Sequence, residues 1–167
     1  MRYLQRKRIN LVHNRYWNLL NIFTVDTGER KIRMIIPSTF IRLDYNPSSD
    51  VLTVEWPDVH NYTLAEVKES LSEIIKAIRY YDVKRLLIDS RKTVVSIDNE
   101  KYTVLSTEFA KEMLQTRLEK LARLESSNII REGQVQELVK TNNTAAIAFK
   151  NFTSSDEALK WLETGIR

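Results

Sequence analysis

The chain has 167 residues, 43% of them apolar and 29% charged, with a net charge of +4 and no cysteine. That length suits one domain with a full core, and the composition is that of an ordinary globular protein. Disulfides, thiolate metal sites and a cysteine nucleophile are excluded, no run of about 18 apolar residues offers a membrane span, and a reducing cytoplasm is the expected compartment.

The positive charge is uneven. Residues 1–36 carry eight Lys and Arg residues against Asp26 and Glu29, a net +6, whereas the remainder carries −2. The chain therefore reads as a basic N-terminal extension, residues 1–36, followed by an α/β domain over residues 37–167. Within the extension, Ile9, Val12, Tyr16, Leu19 and Phe23 would line one face of a helix. Residues 21–25 and 31–36 also flank Asp26-Thr-Gly-Glu29 as a hairpin would, and the two readings are compatible. The basic start is followed by neither a clean apolar stretch nor a small-residue cleavage site, so a secretory signal is not expected.

Residues 40–45 alternate apolar and polar side chains, a turn follows at Asn46-Pro-Ser-Ser-Asp50, and Val51-Leu-Thr-Val-Glu-Trp56 reads as the partner strand of an antiparallel hairpin. Thr63 and Glu66 predict a capping box opening a helix, with Leu64, Val67, Leu71, Ile74, Ile75 and Ile78 at helical spacing. Arg85-Leu-Leu-Ile-Asp89 is a short apolar run of the kind covered on both faces, which implies a crossover onto a parallel neighbour.

A second helix starts from Ser96 or Asp98 and buries Tyr102, Leu105, Phe109 and Met113. Residues 118–124 read as a strand or as the tail of a long helix, since Lys and Arg interrupt the alternation. A helix over residues 130–141 packs through Val135, Leu138 and Val139. Thr144-Ala-Ala-Ile-Ala-Phe149 predicts a last strand, and Ser154 with Glu157 a second capping box before a closing helix. The sum is an α/β fold: a mixed, mostly parallel sheet of about five strands, opening with an antiparallel hairpin, and about four helices.

Three segments carry a family resemblance: Val51-Leu-Thr-Val-Glu-Trp56, Leu86-Leu-Ile-Asp-Ser-Arg-Lys92 and Phe152-Thr-Ser-Ser-Asp-Glu-Ala-Leu-Lys-Trp-Leu162. Over residues 40–162 the chain resembles the SpoIIAA-like (STAS-like) family of small bacterial proteins. The resemblance implies a mixed sheet with packed helices and a regulatory or ligand-binding role without catalysis. Anti-sigma-antagonist members carry a phosphorylatable serine in Asp-Ser-Ser-Gly. The nearest position here is Ser96 in Val95-Ser-Ile-Asp98, which lacks the second serine and the glycine.

Ligands of open α/β sheets gather beyond the carboxyl ends of parallel strands, which points to Asp89, Ser90, Arg91 and Lys92 as ligand-binding candidates. Arg91 would clamp an anion there with help from Ser90; alternatively Asp89 pairs with Arg91 and ties the connector down. Three glycines do not supply a phosphate loop, a dinucleotide fingerprint or a nucleophile elbow, and His13 and His60 have no zinc-site spacing. No catalytic set, cofactor or metal is therefore expected. The expected function is non-enzymatic and regulatory, through a protein partner or self-association. A small apolar or anionic ligand in a crevice is the alternative, by analogy with CRAL-TRIO lipid-binding proteins. Contact of the arm (Arg2, Arg6, Lys7, Arg8, Arg15) with nucleic acid or an anionic surface is a less favoured one.

Overall fold

The computed structural model describes residues 23–25, 32–93, 98–141 and 146–164. Its strands are β1 (Phe23–Val25), β2 (Ile32–Ile36), β3 (Arg42–Asn46), β4 (Val51–Glu55), β5 (Arg85–Asp89), β6 (Lys120–Leu124) and β7 (Ala148–Phe152). The helices are α1 (Leu64–Tyr81), α2 (Asn99–Leu114), α3 (Ile129–Thr141) and α4 (Ser155–Glu163). The fold is α/β, as the sequence implies.

One seven-stranded sheet runs in the order β1-β2-β3-β4-β5-β6-β7. The count of about five strands was low because β1 and β2, read as part of the extension, join the same sheet. Their hairpin pairs Phe23 with Met34, and β2 continues onto β3 through Met34↔Tyr45 and Ile36↔Leu43. Over β3–β7 the sheet has the expected form, an antiparallel hairpin followed by three parallel pairings, and β1 and β2 add two further antiparallel pairings. Short links such as 37–41 and 47–50 leave a strand no option but to return beside its predecessor. From β4 onward a helix intervenes each time and the pairing turns parallel.

Each crossover moves one strand in the same direction. Right-handed connections therefore lay α1, α2 and α3 on one face. Under them lie Leu43, Leu52, Val54, Leu86 and Leu121, packed with Ile74, Ile75, Ile78, Leu105 and Met113. Among the described helices only α4, after the last strand, reaches the opposite face, where Ala158 and Leu162 cover Val51, Leu87, Ala122 and Leu124. β5 is thus covered on both sides, and its apolar run is explained. Beyond Val51 the far face of β3 and β4 carries Arg42, Asp44, Thr53 and Glu55, with Arg33 of β2 3.6 Å from Asp44.

Helix α1 has the expected box: the Thr63 N–H and hydroxyl both donate to Glu66, at 2.7 Å each, and the Glu66 N–H donates back to Thr63 Oγ1. It ends at Asp82, whose φ of 53° lets the Val83 N–H reach the Ile78 carbonyl at 3.0 Å. Asp98, not Ser96, caps α2. The second box does not form; Ser154 starts α4 through its backbone alone. The last strand lies at Ala148–Phe152; of the expected run 144–149, residues 144 and 145 lie outside the described residues and Ile147 precedes the strand. Pairing with β6 sets this register, from Ala148↔Lys120 to Phe152↔Leu124. Within residues 118–124, Lys120–Leu124 form strand β6, buried along its whole length. Of its two cations, Lys120 points to the α4 side, where its ammonium donates to the carbonyls of Trp161 and Thr164 at the helix's carboxyl end. Arg123 points the other way. The possible helix over residues 9–20, the basic arm and Gly165 lie outside the described residues.

Candidate functional site

On the helix-covered face, Ile88 of β5, Leu121 and Arg123 of β6 and Phe149 of β7 form the floor of a cavity of about 170 Å³. Its walls are Val67, Leu71 and Ile74 from α1, and Leu105, Phe109 and Met113 from α2. Val135, Leu138 and Val139 of α3 close the third side. The space exists because α2 turns Ser106 and Ala110, one helical turn apart, towards the sheet where larger side chains would meet the floor. In volume it is comparable to an apolar cavity of about 150 Å³ that takes up benzene.

The cavity is polarised. At the amino-terminal end of the parallel strands it is lined by Ile74, Met113, Leu121, Ile147 and Phe149. Towards the carboxyl ends come Ser90, Tyr102, Ser106 and Arg123, so polar groups collect at one end of an apolar chamber. Ser90 is buried, and its hydroxyl donates to the Leu124 carbonyl at 2.7 Å. That bond fixes the hydroxyl's orientation and leaves an acceptor lone pair.

Arg123 is the one charged residue lining the cavity, and its side chain is only 8% exposed. Its guanidinium forks onto Glu132 in α3: Nη2 donates to Oε1 at 2.9 Å and Nη1 to Oε2. Glu132 Oε1 also accepts from the Ser126 N–H at 3.0 Å and the Ser126 hydroxyl at 2.7 Å. Burial alone pushes this carboxyl up, but the hydrogen bonds from Arg123 and Ser126 and the Arg123 charge outweigh it, bringing the pKa down from 4.5 to about 2. Beside Arg123 in the parallel register stands Asn151, whose Oδ1 is buried with no hydrogen-bond partner among the described residues.

Of the four candidates at the end of β5, only Ser90 lines this cavity. Asp89 and Arg91 grip each other on the rim: Nε donates to Oδ1 at 2.9 Å and Nη2 to Oδ2 at 2.6 Å, while the Arg91 N–H reaches Oδ1 at 3.2 Å. The hydrogen bond from Arg91 holds the Asp89 carboxyl below its usual range despite partial burial. Lys92 donates to Glu55 Oε1 at 3.0 Å. Ser96 lies outside the described residues. The expected crevice needs a reversal of strand order, where successive crossovers part to opposite faces. A sheet numbered one to seven in space has no such reversal.

The sequence reading passed over Arg123, Glu132 and the cavity itself. A signal was present: an arginine inside the buried run Lys120-Leu-Ala-Arg-Leu124 requires an anion nearby, and Glu132 stands nine residues on. Among the described residues there is no group of three or more His, Cys, Asp or Glu side chains placed to hold a metal ion, and no helix long and apolar enough to cross a membrane. Comparison with known proteins found no match: no family model, no curated protein and no solved structure.

Proposed function

We propose that this protein is a non-enzymatic binding domain that takes one apolar small molecule, about the bulk of benzene and bearing a polar group, between the sheet and α1–α3. The observation that supports this reading is the polarised cavity: an aliphatic and aromatic chamber with Ser90, Tyr102, Ser106 and Arg123 gathered at one end. Apolar side chains around an unfilled space forfeit packing contacts, which a bound apolar molecule would restore. Among the described residues no pair of acid and base or activated nucleophile lines the chamber, which is why the reading is retention of a ligand and not its conversion.

Ala110→Phe tests this. The ring projects from α2 into the void, so binding of benzyl alcohol followed by ligand-observed NMR should vanish, while the thermal midpoint stays level or rises. A variant that binds the probe as well as the parent would sink the proposal.

A second reading, regulation by protein contact as the SpoIIAA-like resemblance implies, is favoured by Ile129 and Ile130. These open α3 with relative exposures of 87% and 76%. Two adjacent isoleucines in water are a contact in search of a surface. If that surface is a second copy of the chain, sedimentation should show association that Ile129→Ser with Ile130→Ser abolishes.

A further inference from the structure

We propose that Glu132 sets the charge selectivity of the cavity, screening Arg123 so that the chamber accepts uncharged ligands with one hydrogen-bonding group and rejects carboxylates. This inference rests on the binding reading above. A buried arginine at the polar end of an apolar chamber would, taken alone, mark a receptor for anions. Here both terminal nitrogens of that arginine are already engaged by Glu132.

A carboxylate entering the chamber would place a second negative charge against one positive charge, in a medium that solvates neither well. It could not take Arg123 over by simple exchange either. Ser126 holds the Glu132 carboxylate in place through its N–H and its hydroxyl, independently of Arg123. Protonation offers no escape near neutrality, because those same donors keep Glu132 ionised down to about pH 2. The lining groups left for a ligand are the Ser90 hydroxyl oxygen, which calls for a donor, and the remaining N–H groups of an arginine whose charge Glu132 already balances. An alcohol, phenol or amide meets that requirement and a carboxylate does not.

Benzyl alcohol, benzoate and benzylammonium share one ring and differ in the charge of the head, so titrating each against the full chain near pH 7 by calorimetry reads the selectivity directly. Wild type should bind the alcohol roughly tenfold or more tightly than either ion. Glu132→Gln preserves the side-chain shape and an acceptor for Ser126 but uncovers the arginine charge. Benzoate should then gain roughly tenfold or more relative to the alcohol. Removing both charges, with Arg123→Gln and Glu132→Gln together, should restore the preference for the alcohol. Benzoate equalling the alcohol on wild type, or an unchanged preference in Glu132→Gln, overturns the role of Glu132 while leaving the binding reading intact. Binding of none of the three probes to wild type or either variant overturns both. If Glu132→Gln does not fold, the three-way comparison on wild type still decides.

Discussion

Replacing Glu132 with alanine is expected to lower the unfolding free energy by about 3–5 kcal/mol, the usual result of stranding one member of a buried ion pair. Arg123 would keep its charge in a site 92% removed from water, with no acceptor for its fork and a cavity on its other side. The paired variant Arg123→Met with Glu132→Leu should recover most of the loss, since apolar side chains suit the same chamber. Urea unfolding of the three proteins measures this; equal stability of the single and paired variants would show that the ion pair is not buried as described.

The same pair fixes an acid limb. Its carboxyl has a folded pKa of about 2 against an ordinary 4.5, so the folded state binds the proton less readily than the unfolded chain. The stabilisation is therefore fully present above about pH 4.5 and is lost as pH falls towards about 2, amounting to roughly 3 kcal/mol. Paired removal of both charges should flatten that part of the pH profile.

Leu86 and Leu87 are adjacent on β5 and face opposite layers, Leu86 under α1 and α2 and Leu87 under α4. Each is almost wholly buried, so each truncation to alanine is expected to cost about 2–5 kcal/mol. What separates them is coupling. Leu87 shares its cluster with Leu162 of α4, and a double-mutant cycle between these two should show roughly 0.5–3 kcal/mol of interaction. Leu86 lies across the sheet from Leu162, and that pair should add to within about 0.5 kcal/mol. Coupling of Leu162 to Leu86 instead would place α4 on the wrong face.

Local and periodic signals were legible in the chain. Helix α1 follows from Thr63, Glu66 and the stripe ending at Ile78, each of which acts within one turn of its neighbours. The β3–β4 hairpin and the doubly covered β5 likewise declare themselves over a few residues. The position of β7 was not legible, because Ala148↔Lys120 is set by a partner 28 residues away and not by the apolar run of residues 144–149. The cavity was harder still. It is where Ser106 and Ala110 on one helix fall short of Leu121 and Phe149 on two strands, and no segment of the chain contains it. The rim site was inferred from a rule about parallel sheets that holds at a reversal of strand order, and this sheet does not reverse. Asp89 and Arg91 satisfy each other there, whereas Arg123, read only as an interruption of an apolar strand, is the charge that faces the chamber.

Xenon seeks apolar voids and has no charge or shape of its own to confuse the answer. Diffraction from crystals held under xenon pressure should show one well-occupied atom between Ile74, Phe109 and Leu121, within the chamber under α1, α2 and α3. Crystals in which Leu138 and Phe149 close over that space and xenon finds no place in it would contradict the account.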